Sequence, residues 1–255
     1  MIYQFPVPHE DELLVSLLAR FVSRQGIRDD KVALQTLFGS RNVVPSALLQ
    51  GHLEGLLARV GHLWIIESKD ILNQHSILPV FKSFIEPARY SAIQKSLIVD
   101  AKSHSMITAG INASSLIYPS FFRFCPMCVH EDLQQRAYTY WRRQFQLPGV
   151  LVCKRHGCYL KDSGFKVKPS RRHGFIDASR LEAANIVAMV EVCQSPALRR
   201  LANDIDTLLV SVHAKNNGNL TRYVNTISGI DKSVLNYQNK IRYIKKQLPH
   251  LRCLR

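Results

Sequence analysis

Apolar residues recur at intervals of three and four along residues 12–24, which is the spacing of one face of an α-helix. They are Leu13, Leu14, Leu17, Leu18, Phe21 and Val22. Gly26 follows directly after this run, where a helix commonly stops. The pattern therefore predicts an amphipathic first helix with a wide apolar face.

Two further short helices are expected in the amino-terminal third of the chain. Residues 30–38 have Asp29 or Asp30 as a cap and Gly39 at their end, and a third helix is predicted over residues 45–60. Three short helices joined by turns are the components of a helix-turn-helix, in which one helix enters the major groove of DNA. They are equally the components of an ordinary helical bundle, and the pattern leaves both open.

The remainder of the chain also has mainly helical patterns. Helices are predicted over residues 67–74, 86–103, 130–146, 179–193, 196–213 and 232–248, with a short strand over residues 150–152 and a turn over residues 216–219. The sequence thus predicts a mainly α fold.

Two pairs of metal-ligand residues interrupt this helical pattern. Cys125 and Cys128 form a C-x2-C pair, and Cys153 and His156 form a C-x2-H pair further along the chain. Three thiolates and one imidazole fill the four positions that zinc prefers and leave none open for water or substrate. The spacing therefore predicts one structural Zn²⁺ site, with Trp141 as a core residue that closes over it.

Other uses of the six cysteines are open at this point. Cysteines are often buried simply as small apolar side chains. Cys158, two residues after His156, is an alternative fourth ligand. A disulfide framework is not expected, because the acidic residues Glu10, Asp11 and Glu12 stand where the basic leader of a secreted protein would lie.

The positive charge is concentrated in the second half of the chain. The net charge is +15; residues 1–120 carry 11 Lys and Arg against 10 Asp and Glu, which leaves +14 for residues 121–255. Such a field favours a polyanionic partner, because phosphate contacts by Lys and Arg release condensed counterions. The candidate phosphate contacts are Arg142, Arg143, Lys154, Arg155, Lys168, Arg171 and Arg172.

The segment that follows the second ligand pair has two interpretations. Residues 161–173 are basic and contain Ser, Gly and Pro, as in a solvated linker. They equally suit an arm that contacts phosphates beside a rigid, metal-fixed element.

Sequence motifs for catalysis are not recognised in this chain. A phosphate-binding Gly-rich loop, a paired acidic set for two-metal chemistry and an open zinc triad with a general base are all missing from the sequence. We therefore expect a protein that is not an enzyme. No run of eighteen uncharged apolar residues suggests a membrane span, and a bacterial cytoplasmic protein is expected.

The segments around the ligand pairs resemble a known family. Phe-Cys-Pro-Met-Cys at residues 124–128, Tyr-Trp-Arg at 140–142, Gln-Leu-Pro-Gly-Val at 146–150 and Val-Cys-Lys-Arg-His-Gly at 152–157 are similar to the zinc-binding core of the TniQ/TnsD family of transposition target-selection proteins. Phe-Pro-Val-Pro at 5–8 and Gly-Ser-Arg-Asn-Val-Val at 39–44 resemble the TnsD branch in particular. The likeness covers about residues 3–160, so the chain resembles a short member or an amino-terminal portion.

This resemblance implies a function that the residues alone do not. Members of the family couple recognition of a target to an AAA+ ATPase regulator of the transposase, a TnsC-like protein. The TnsD branch reads double-stranded DNA at an attachment site, whereas other TniQ proteins bridge an RNA-guided CRISPR effector complex to the ATPase. The expectation is a DNA-binding target selector that associates with the nucleoid, and the CRISPR adaptor is the alternative.

These expectations together give a division of the chain into three parts. Residues 3–115 are expected to form a helical, helix-turn-helix-like domain, and residues 116–178 a small zinc-ribbon or zinc-knuckle core. Residues 179–255 are expected to form a helical carboxy-terminal segment, which the resemblance does not cover.

Overall fold

The computed structural model describes residues 2–99, 118–168, 171–181 and 186–210. Within them lie seven α-helices: α1 (Leu14–Arg24), α2 (Asp30–Phe38), α3 (Leu53–Val60), α4 (Ser68–His75), α5 (Pro87–Val99), α6 (Pro126–Arg136) and α7 (Pro196–Val210). Two strands, β1 (Phe121–Phe124) and β2 (Lys161–Lys166), form one antiparallel sheet. The fold is therefore mainly α with a small sheet, as the sequence predicts.

The first two helices begin and end where the sequence signals place them. The Asp29 carboxylate accepts the backbone N–H groups of Lys31 at 2.7 Å and of Val32 at 3.0 Å, which caps α2. Gly39 ends that helix with φ at +71°, a conformation that suits glycine because it has no Cβ. Asp29, not Asp30, is thus the cap.

The third helix is shorter than predicted. It begins at Leu53 because Gly51 and His52 precede it, and His52 has a left-handed φ of +58° that interrupts a helix. Fourteen residues, 39–52, separate α2 from α3, although the two helices pack together. The helix-turn-helix character of this region stays a prediction.

The helix predicted over residues 130–146 is wrong in its position. The observed α6 starts at Pro126, because the Cys125 thiol caps it by accepting the Cys128 N–H and proline suits the first helical position. Ala137, with φ at +61°, ends the helix. Residues 144–146 then form only one 3-10 turn.

Two further sequence expectations fail in the described chain. Val152 makes a single antiparallel bridge to Tyr159 in place of a strand over residues 150–152. Residues 179–193 contain two 3-10 turns and no α-helix in their described part, because the backbone around Val192 pairs with Cys158. The 196–213 helix is present as α7 up to Val210, and the predictions for residues 211–255 lie outside the described residues.

The buried core contains side chains from all three predicted parts of the chain. Helix α1 contributes Leu17 and Leu18, the middle of the chain contributes Trp141, and α7 contributes Ile205. Trp141 is fully buried and stacks on Phe122, with ring centroids 4.7 Å apart. The prediction of Trp141 as a core residue is confirmed, while the three-part division itself stays a prediction.

Residues 11–13 pair with residues 141–143, and we call this pairing the amino-terminal latch. The Leu13 N–H donates to the Trp141 carbonyl at 2.9 Å, and the Arg143 N–H donates to the Asp11 carbonyl at 2.8 Å. The Arg143 side chain adds an ion pair with Asp11 at 2.8 Å and a hydrogen bond to the Ser76 carbonyl at 3.2 Å. Arg143 therefore joins three segments that are far apart in the chain.

A second buried ion pair fixes the start of α1. Glu12 and Arg20 are 0% and 3% exposed, and their side chains form two hydrogen bonds of 2.9 and 2.7 Å. Desolvation raises the pKa of Glu12, while hydrogen bonds from Arg20 oppose this rise. Removing either side chain would leave the other as a buried charge without compensation, so the pair depends on both partners.

None of the helices in the described ranges is long and apolar enough to cross a membrane.

Replacing Arg143 with alanine is expected to destabilise the fold by about 3 kcal/mol, because Asp11 and two backbone carbonyls lose their partner in a partly buried site. Urea unfolding of the full chain measures this change. The matched control is Arg28→Ala, which removes an exposed cation. Equal unfolding free energies for the two variants would contradict the role of the latch.

Candidate metal centre

The first ligand pair lies at the junction of β1 and α6. Strand β1 ends at Phe124, and Cys125 adopts an extended backbone that makes it the cap of the helix. Cys128 lies in the first turn of that helix, so both thiols face the same side. Both cysteines are buried.

The second ligand pair lies on a tight turn before β2. The Cys153 carbonyl accepts the Gly157 N–H at 2.8 Å, and the Cys153 N–H donates to the Cys158 carbonyl at 2.9 Å. Gly157 has φ at +62°, which a residue with a side chain adopts only with strain. This turn brings the Cys153 thiol and the His156 ring to the same point.

The structure brings together all four side chains that the spacing predicts. The Nδ1 atom of His156 lies 3.4 Å from Cys125 Sγ, 3.3 Å from Cys128 Sγ and 3.6 Å from Cys153 Sγ. The sulfur atoms of Cys128 and Cys153 are 3.8 Å apart, and all four ligand atoms lie within 4.8 Å of one another. This cluster can hold one metal ion.

The side chains that pack on the cluster differ from the expectation. Phe145, Met127, Leu160 and Val190 pack against the cysteines. Trp141 belongs to the main core instead, where its indole N–H donates to the Ile176 carbonyl at 2.8 Å. The expectation that Trp141 closes over the site is therefore corrected: Phe145 is the buried aromatic residue there.

Cys158 lies beside the cluster without belonging to the four. Its sulfur is 3.3 Å from that of Cys125, and its side chain is fully buried. His156, not Cys158, completes the set in which every ligand atom is close to all the others.

The close approach of the thiols changes their acidity. Hydrogen bonds with Cys128 and Cys153 raise the pKa of the Cys125 thiol. Hydrogen bonds from Cys125 and Cys128 lower the pKa of Cys153 to about 2. The thiolate is the form of cysteine that binds a metal.

Glu131 contacts this site, although the sequence spacing did not include it among the ligands. Its Oε1 atom lies 3.1 Å from Nε2 of His156, on the opposite side of the ring from the thiols. A carboxylate in this position accepts the Nε2 proton and leaves the lone pair of Nδ1 for the metal. The available signal was the position of Glu131 three residues after Cys128, within the first two turns of α6.

The two arginines of the Tyr-Trp-Arg-Arg segment point into the protein. Arg142 forms a bidentate pair with the buried Asp132, with distances of 2.9 and 3.0 Å. Arg143 is 7% exposed and forms the latch with Asp11. Both guanidinium groups are thus occupied by carboxylates.

The other candidate phosphate contacts lie at the surface. Lys154 pairs with Asp206, Arg155 with Glu131 at 2.9 Å, and Arg171 with Asp30 at 2.7 Å. Lys168 and Arg172 are exposed and have no acidic partner within the described part of the chain. Most of these cationic side chains are therefore accessible to solvent, although three of them form ion pairs.

Fold and site define a mainly helical protein in which a Cys3His cluster joins a sheet, a helix and a tight turn. The TniQ family model matches residues 3–160, and the chain belongs to the TniQ family. It is also 30% identical over 157 residues to the transposon Tn7 transposition protein TnsD of Escherichia coli. The prediction of a TniQ/TnsD family protein is confirmed.

The similarity to TnsD covers 61% of this chain and 31% of that relative. The chain therefore spans about a third of the length of the curated relative that it matches. The residues that match the family include both ligand pairs, the amino-terminal latch and β1.

Replacing Glu131 with alanine is expected to accelerate metal release about 10- to 100-fold, because the His156 ring loses the acceptor that orients it. Competition with a chelator measures the rate on the metal-loaded full chain. Glu131→Gln keeps an acceptor oxygen and is expected to restore part of the retention. Glu54→Gln removes an equal charge from the exposed face of α3 and serves as the control. If Glu131→Ala released the metal at the same rate as this control, the role of Glu131 in orienting His156 would be refuted.

Proposed function

We propose that this protein is a zinc-stabilised target-site selector for transposition, which binds double-stranded DNA and recruits a TnsC-like AAA+ ATPase. The observation that carries the proposal is the match of residues 3–160 to the TniQ family, within which the four ligands form one compact cluster. The protein acts here as an adaptor without catalysis, in the bacterial cytoplasm and at the nucleoid.

The chemistry of the ligand set supports zinc as the metal. Bonds of about 2.3 Å to sulfur and about 2.0 Å to imidazole nitrogen give tetrahedral edges of about 3.5 to 3.8 Å. The sulfur–nitrogen distances of 3.3 to 3.6 Å and the Cys128–Cys153 sulfur distance of 3.8 Å are close to these edges. Cys125, Cys128, Cys153 and His156 would hold the ion, whose role is to crosslink the two ligand pairs.

Charge supports different partners for the two halves of the chain. Residues 121–255 carry +14, which suits DNA phosphates, whereas residues 1–120 carry only +1. We assign contact with the ATPase to the amino-terminal helices and contact with DNA mainly to the basic half. Lys154, Arg155, Lys168, Arg171 and Arg172 remain as candidate contacts. Arg142 and Arg143 are left out because the carboxylates of Asp132 and Asp11 occupy them.

Replacing Cys128 with serine is expected to release the metal and to unfold the central region, because metal-binding free energy is folding free energy in a site of this kind. Metal analysis by mass spectrometry, together with thermal unfolding, tests this. Cys193→Ser is the matched control, since Cys193 is buried but lies outside the cluster. A Cys128→Ser protein with one bound zinc and an unchanged melting temperature would overturn the closed-site assignment.

Binding to DNA distinguishes the proposed selector from the alternative adaptor. The full chain is titrated with a duplex carrying the attachment site of the mobile element and with a scrambled duplex of equal length, over a range of salt concentrations. A sequence reader should prefer the site by about 4 kcal/mol or more. Equal and steeply salt-dependent binding would contradict sequence reading and favour an adaptor that bridges a CRISPR effector complex to the ATPase.

A further inference from the structure

The basic segment after β2 is anchored to the amino-terminal helices at two points. Arg171 donates from Nη2 to the Asp30 carboxylate at 2.7 Å, and the His173 ring donates from Nδ1 to the Val43 carbonyl at 3.0 Å. The Gly174 N–H also donates to the Arg171 carbonyl at 3.0 Å, which closes a turn. The segment is therefore fixed at residues 171–174, which would not be expected of a free linker.

This anchoring brings cations from two distant parts of the sequence together. Lys31 lies in the first turn of α2 beside Asp30, and Arg41 follows Gly39 in the loop after that helix. The pKa of Asp29 is lowered chiefly by the N–H groups of Val32 and Lys31, and the charge of Arg41 adds to this effect. Arg41 also lies two residues before Val43, whose carbonyl accepts the His173 ring N–H, so it is close to the turn that carries Arg171 and Arg172.

Most of these cations have no ion-pair partner, although Lys31 and Arg41 lie near the Asp29 carboxylate. Lys31, Arg41 and Arg172 are exposed and form no ion pair with any described residue. Arg171 is 72% exposed on its side chain even though it is paired, so its other guanidinium N–H groups are accessible to solvent. Exposed Lys and Arg side chains on a fixed backbone are the usual contacts of proteins with DNA phosphates.

We propose that Lys31, Arg41, Arg171 and Arg172 form one surface that binds the phosphate backbone of double-stranded DNA. We call it the arm–helix surface. The inference rests on the proposed function and extends it, because it adds the nearly neutral amino-terminal region to the DNA contact. That region then contributes through a helix start and a loop, without a helix in the major groove.

Asp30 has a specific role in this arrangement. A carboxylate in a DNA-binding surface ordinarily weakens binding by repelling phosphates, so its removal should strengthen binding. Here Asp30 holds Arg171 and thereby the turn that carries Arg172. Asp30→Asn is therefore expected to weaken DNA binding although it makes the protein more positive.

Fluorescence anisotropy of the full chain with a labelled DNA duplex of random sequence tests the surface. Arg41→Ala and Arg172→Ala are each expected to weaken binding several-fold and to reduce the salt slope by about one. Asp30→Asn is expected to weaken binding, too. Arg89→Ala, which removes an exposed cation from α5, and Glu54→Gln, which removes an exposed acid from α3, are the controls, with circular dichroism to verify folding.

The possible results separate this surface from the proposed function. If the wild-type protein binds DNA but Arg41→Ala and Arg172→Ala behave like Arg89→Ala, the surface is refuted while DNA binding stands. Tighter binding by Asp30→Asn would refute the anchoring role of Asp30. If the wild-type protein binds no duplex even at low salt, the DNA assignment itself is overturned.

Discussion

The Cys3His cluster is the constraint on which the central part of the structure depends. It joins two residue pairs, with Cys128 and Cys153 25 positions apart in the chain, and it fixes the start of α6 because Cys125 is both a member of the cluster and the cap of that helix. The side chains around it form a small cluster of their own, separate from the main core. So few apolar contacts give little stability, and crosslinking by a metal is the physical means of holding such an element rigid.

The amino-terminal latch connects this central part to the start of α1. The segment that leaves α6 does not continue as a helix but turns back, because the buried Asp132 accepts hydrogen bonds from Thr139 and Arg142. Residues 141–143 then pair with residues 11–13, and Trp141 enters the main core. Arg142 and Arg143 therefore have a structural role, and their charges are matched by carboxylates from elsewhere in the sequence.

Local signals explain which features the sequence could predict. Ligand spacing identified the four cluster residues, and the Asp-to-Gly pattern around α2 located that helix, because each depends on residues only a few positions apart. The helix predicted over residues 130–146 is wrong beyond Arg136, since the apolar spacing there is helical while the backbone of residues 141 and 143 bonds to residues 11 and 13. Likewise, the sequence offers Arg143 as a candidate phosphate contact, whereas in the folded chain its side chain pairs with Asp11, 132 positions away. Such long-range partners become visible only in the folded chain.

The central claim is that one zinc ion, bound by three sulfur atoms and one nitrogen atom, crosslinks the two ligand pairs. X-ray absorption at the zinc K-edge of the purified full chain tests it most directly. We expect one equivalent of zinc with three sulfur neighbours at about 2.3 Å and one nitrogen neighbour at about 2.0 Å. A shell of four sulfur atoms would place Cys158 in the site in place of His156, and a shell of oxygen neighbours would contradict a closed structural site altogether.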